Sequence, residues 1–262
     1  MLPPKPKSEV ESINALISQI TPYLQGEAEY TDFIRRRIDA QIDEVNDPYY
    51  YKAARFYFLF SIGENEEGAR LAEEVIMERP SDFIAWGNYI LCTLYTMGLE
   101  KAFELSVRAA EKTNSPKMVR DTIYYARGLG DYQAFEKYLA KYSLMGNPDF
   151  DLSDEDNSAL PLAVEQAALA MNSGFADEIS HVGKMMHSMI KPLQQIDAMS
   201  SFYLIEDEGE KSYVLEITPP GITPEECAEL NIALVKKRAA TLGTNWDVVG
   251  IFSNEVTKQR GL

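Results

Sequence analysis

His181 and His187 are the only two histidines in the chain, and Asp177 lies four residues before the first of them. Six residues along a helix turn by roughly 240°, so the imidazoles point to different sides and cannot close on one ion as residues four apart can. Asp177 and His181 have the right spacing but lack a third ligand, and the histidine pair reads as solvated. Met185, Met186 and Met189 beside them read as core. Cys227 falls in the first turn of an expected helix, where the dipole would lower a thiol pKa, but Glu225 and Glu226 oppose this and its stripe is apolar, so it reads as a buried, inert thiol. Asp149, Asp151, Asp154, Glu155 and Asp156 invite a test for calcium. A calcium loop starting at Asp149 needs glycine in sixth place and glutamate in twelfth, where the chain has Asp154 and Leu160. There is no G-x-S-x-G and no phosphate loop, and Gly128-Leu129-Gly130 lacks the third glycine of a dinucleotide fingerprint. The expectation is no catalytic set, no metal and no cofactor; carboxylate pairs that meet only in three dimensions stay open.

Charge narrows the partner classes. The chain has 262 residues, 41 acidic against 25 basic, and a formal net charge of -16. Up to Pro148 there are 22 acidic and 17 basic residues, and from Asp149 onward 19 and 8. Such a surface repels phosphate backbones and attracts basic proteins; plain solubility, common in acidic bacterial-type proteins, is the other reading of the same charge. No segment approaches the ~20 apolar residues of a membrane span, and the first residues lack the apolar core of a signal peptide. Two cysteines far apart suggest no disulfide framework. The expected location is cytoplasmic, without a membrane or direct nucleic-acid partner.

The elements that must position these groups are mostly helices. Val10, Ile13, Leu16, Ile17 and Ile20 set one amphipathic helix over 8–24, and Phe33, Ile34, Ile38 and Ile42 a second over 30–45. Arg35, Arg36 and Arg37 point in different directions and make no single anion site. From Asp47 to Tyr142 breakers recur in register: Pro48, Pro80 and Pro116 lie 32 and 36 positions apart, and Gly63, Gly98 and Gly130 lie 35 and 32 apart. Small residues follow at Ala69, Ala102 and Ala134. A period of this size predicts three stacked helical hairpins, since one hairpin alone cannot bury its apolar face. The first two helices would cap the end of this stack.

The unit from Pro80 to Pro116 resembles a tetratricopeptide repeat. Trp86 takes the aromatic position of its first helix, Ala102 and Ala109 the small positions of its second, and Asn114 with Pro116 closes it. Ile90 and Thr93 depart from the family pattern, as does Tyr57 in the first unit. In that family the first helices line a concave groove whose sixth repeat position often touches the ligand. The resemblance carries this role onto Arg55, Asn88 and, in one register, Arg120, with Arg127 farther along the third helix. Arginines so placed would grip a peptide carboxylate or acidic side chains in bidentate fashion, with Tyr51, Phe58, Leu91 and Tyr95 adding apolar contact. Intramolecular ion pairs are the competing use of the same arginines.

The carboxylate run around Asn147–Asn157 reads as a linker, dividing the chain into 1–146, a linker over 147–158, and 159–262. Beyond it, helices are expected over 160–171 and 177–190. Phe202–Ile205 and Tyr213–Ile217 predict a hairpin with an acidic turn that includes Glu206 and Glu208. Thr223-Pro224-Glu225-Glu226 is a capping box opening a helix to about Leu242. Its stripes Cys227, Leu230, Leu234 and Ala228, Ile232, Val235, Ala239, Leu242 are expected to lie on a sheet, with Lys236, Lys237 and Arg238 outward. Trp246–Phe252 would be a third strand of a mainly antiparallel sheet. This ending, over about thirty residues, looks like the bacterial protein regulators that inhibit ribonuclease E, although it carries no diagnostic motif. The fold class expected is mainly α, a tetratricopeptide-like array followed by a small α+β domain (helices plus ββαβ). The function expected is non-enzymatic capture of a protein partner, an inhibitor or antitoxin/immunity-type role towards a basic protein. An enzyme with its site between the two domains is the alternative.

Overall fold

The computed structural model describes residues 9–146, 154–241 and 247–254, with side chains described throughout these except at positions 9 and 154–159. The chain is mainly α with a small α+β part. The leading helices are α1 (Glu9–Leu24) and α2 (Asp32–Asp43). Three antiparallel hairpins follow: α3 (Pro48–Ser61) with α4 (Asn65–Glu78), α5 (Phe83–Met97) with α6 (Leu99–Thr113), and α7 (Pro116–Gly128) with α8 (Tyr132–Leu144). The breakers act where the sequence places them. Asp47 and Asp82 cap the helices they precede, and the Tyr49 hydroxyl donates to Asp82 at 2.7 Å, tying the first hairpin to the second. Asn114 ends α6 in the left-handed conformation at φ 49°.

Packing within the hairpins depends on aromatic rings meeting small residues. Trp86 is buried and donates its indole N–H to the Pro80 carbonyl at 3.0 Å. Ala102 and Ala109 are fully buried in α6. In the first hairpin Ala69 is only half-buried, and the close approach is made by its neighbour Gly68, where a Cβ would lie 2.9 Å from the Phe60 ring. α5 packs on both α3 and α4, whereas α7 packs chiefly on α6 and α8. The third hairpin therefore leaves the stacking pattern of the first two. α1 lies across α3 and reaches α5, and α2 packs on α3.

The second half holds α9 (Asp154–Ser173), α10 (Ala176–His187), the short α11 (Pro192–Ile196), β1 (Met199–Asp207), β2 (Glu210–Thr218), α12 (Pro224–Thr241) and β3 (Val248–Phe252). Of the expected linker, 147–153 falls outside the described residues, as do Leu242 and Trp246; from Asp154 the chain is already helix. The sheet order is β1-β2-β3, with β1 and β2 antiparallel but β2 and β3 parallel. It is thus mixed rather than mainly antiparallel, because the α12 crossover returns the chain in the direction of β2. Leu215, Gly250 and Phe252 face α10 and α12, and Val182, Met186 and Leu234 crowd Gly250 so closely that a Cβ there would meet Val182 at 2.8 Å.

The two halves share a buried seam. Gln195 of α11 accepts the Leu99 N–H at 2.7 Å, capping α6, and donates to the carbonyls of His187 and Ile190 at 2.9 Å each. The Gly128 carbonyl, at the end of α7, receives His187 Nε2 at 2.9 Å and the Ser200 hydroxyl at 2.8 Å. Gly183 of α10 sits against the Leu129 carbonyl. Tyr132 of α8 packs its ring against Phe202 of β1 at 5.7 Å.

Candidate protein-binding surfaces

The concave face expected from Arg55, Asn88, Arg120 and Arg127 is partly occupied by the chain itself. Arg55, on α3, is gripped by Asp39 and, at 2.7 Å, by Asp43, both from α2, and its guanidinium lies 5.5 Å from the Tyr51 ring. Phe58 is buried, with Tyr30 edge-on to it at 5.9 Å. The leading hairpin therefore closes the face over α3. Tyr95, on α5, accepts from Gln25 at 3.0 Å. Asn88 is half-buried and makes no side-chain hydrogen bond among the described residues. Arg120, on α7, is half-buried beside Asp121 at 3.7 Å, and Arg127 is half-buried at the far end of that helix.

α5 and α7 approach each other at one point through residues the sequence did not single out. Gly87 faces Met118, whose methyl would lie 3.8 Å from a Cβ there. The Tyr125 hydroxyl is pushed up by burial first, then by the Asp121 carboxylate and by Tyr95.

Glu206 and Glu208 lie at the end of the β1–β2 hairpin. β3 pairs with β2 only over Tyr213–Ile217, so the hairpin beyond Tyr213 is a two-stranded arm. Every residue from Ile205 to Ser212 is exposed. Glu208 at φ 48° and Gly209 at φ 86° make the two-residue turn that suits a right-twisted hairpin. Glu206 lies in β1 opposite Lys211, and Asp207 lies opposite Glu210. The tip therefore carries four carboxylates and one lysine.

The reactive side chains are used in packing. His187 is 1% exposed rather than solvated, and burial lowers its pKa to about 4 while the bond to the Gly128 carbonyl pulls the other way. With Nε2 on that carbonyl, the buried Nδ1 finds no partner among the described residues. His181 is exposed. Cys92 is fully buried, and the Cys227 thiol, raised by burial, donates to the Phe252 carbonyl at 3.1 Å. Arg238 departs from its expected outward place: at 2% exposed it reaches the Val248 carbonyl and, at 3.1 Å, Glu178 of α10. Burial pulls the Arg238 guanidinium down and pushes the Glu178 carboxyl up. Among the described residues no three His, Cys, Asp or Glu side chains converge to hold a metal ion.

No family model, curated protein or solved structure matches the chain.

Proposed function

We propose that this protein is a non-enzymatic interaction protein that captures a basic protein partner, with the β1–β2 arm as its primary contact. The observation that carries this reading is the arm's geometry: a two-stranded projection beyond β3, exposed from Ile205 to Ser212 and tipped by Glu206, Asp207, Glu208 and Glu210. A paired hairpin presents these charges at little ordering cost, and the field of a chain at -16 steers a cationic protein towards them. The tetratricopeptide-like array supplies a second surface, narrowed to the α5–α7 side where Asn88, Tyr95, Arg120 and Arg127 lie. The role is that of an inhibitor or an antitoxin/immunity-type protein in the cytoplasm, needing no cofactor. No described helix is long and apolar enough to cross a membrane, which is in keeping with a protein rather than a bilayer as partner.

A pull-down from the native host, run in parallel with the wild-type chain and with Glu206→Lys/Glu208→Lys, tests this by mass spectrometry. The expected result is a basic protein recovered by the wild type and depleted by the variant, with unchanged circular dichroism. Recovery of the same proteins in the same amounts by both would remove the arm from recognition.

A further inference from the structure

α12 carries an apolar stripe that the fold leaves outside. Of its two expected core stripes, the one through Cys227 and Leu234 is buried, joined by Asn231 and Arg238. The other, Ala228, Ile232, Val235 and Ala239, is exposed, with Ile232 at 57% and Val235 at 55%. The rotation of the helix is pinned. Asn231 donates to the Phe252 carbonyl at 2.9 Å and accepts the Phe252 N–H at 2.8 Å, while Arg238 takes the Val248 carbonyl. Lys237 reaches Ser188, just past α10, at 2.7 Å. The stripe lies roughly 100° around the helix from the buried one, on the side away from Lys237. Because Asn231 and Arg238 occupy backbone groups of β3, an added strand is poorly served there. A helix fits better.

We infer that the partner on this stripe is a second copy of this chain, docked through its own α12 in an antiparallel pair about a two-fold axis. The spacing 228, 232, 235, 239 is that of a coiled-coil seam. About a two-fold, Ile232 faces Val235 of the second copy and Ala228 faces Ala239, with the alanines allowing close approach at both ends. The outward flank of the seam holds Glu229 and Lys236, both exposed and neither in an ion pair among the described residues. Antiparallel pairing sets Glu229 of each copy beside Lys236 of the other, giving two ion pairs. Parallel pairing would put Glu229 and Lys236 on opposite flanks of the seam and form neither pair. The surface is thus self-complementary in the antiparallel arrangement, and that arrangement closes as a dimer rather than growing into a fibre.

One helix per copy, with alanine in half of its layers, makes a small interface, so the dimer should be a weak one. A charge of -16 per copy opposes association at low ionic strength, and the measurement belongs near 0.15 M salt. This inference stands independently of partner capture by the arm, which lies elsewhere on the sheet.

Sedimentation of the full chain up to about 200 µM tests it. The wild type should dimerise, and Ile232→Lys, at an exposed site, should leave a folded monomer by circular dichroism. Glu229→Lys alone and Lys236→Glu alone should each weaken the dimer about tenfold by placing like charges across the axis twice. The double swap Glu229→Lys/Lys236→Glu should restore it, because the charges again oppose. A wild type that stays monomeric, or a dimer indifferent to Ile232→Lys, overturns the proposal. Loss on each single swap without restoration in the double overturns the antiparallel arrangement.

Discussion

In the hairpins from α3 to α8 charged side chains meet at the surface, as Lys52 does Glu78 at 3.1 Å and Arg108 does Glu73 at 2.7 Å. The interior there is held by rings against small residues. From α9 onward polar groups are inside: His187 on Gly128, Gln195 on Leu99, Asn231 on Phe252, Arg238 on Val248 and Glu178. The two regions therefore fail differently. An exposed pair contributes little and its loss is absorbed by water, while a buried group deprived of its partner keeps the full desolvation cost. Stability in the array is spread over many contacts; in the second half and the seam it is concentrated in a few.

The sharpest test of that contrast is Gly183→Val. A side chain there meets the Leu129 backbone, with its carbonyl carbon 2.8 Å from the new Cβ, and backbone cannot turn aside as a side chain can. The destabilisation by urea titration should exceed about 3 kcal/mol, beyond ordinary overpacking. A small loss would mean that α10 is not seated on the α7–α8 turn.

Next in size is the pH dependence from His187. Its folded pKa of about 4 lies below the ordinary 6.5, so the unfolded chain binds more protons between these values. The stabilisation is complete above about pH 6.5 and is lost as pH falls towards 4, by at most about 3 kcal/mol. His187→Leu should flatten this part of the stability profile relative to the wild type; parallel profiles would mean that the imidazole is not buried in solution.

In the array the expected effect is smaller. Ala102→Leu should cost about 2 kcal/mol by forcing α5 and α6 apart, read as a lower melting temperature without a new pH dependence. An unchanged melting temperature would remove Ala102 from the helix crossing.

The same contrast governs what could be read from the sequence. Prolines, glycines and aspartate caps mark local backbone events, so the three hairpins and the Thr223–Glu226 capping box are visible without the structure; Thr223 N–H meets Glu226 at 2.8 Å as expected. Arg238 was hidden because a Lys-Lys-Arg run resembles a solvated face, although its phase with Cys227, Asn231 and Leu234 places it inward. The parallel β2–β3 pairing and the burial of His187 depend on elements distant in sequence. So does the grip on Arg55: Asp39 and Asp43 belong to a helix whose position over α3 no local pattern fixes.

Recognition of a basic partner by the arm is the central property of the proposed function. The direct measurement is the association rate of the partner recovered by pull-down, taken as a function of salt for the wild type and for Glu206→Lys/Glu208→Lys. Steering by the acidic tip predicts an association rate that falls steeply with salt, a dissociation rate that changes less, and a variant that associates more slowly with a flatter salt dependence. An association rate indifferent to both salt and charge reversal would contradict it.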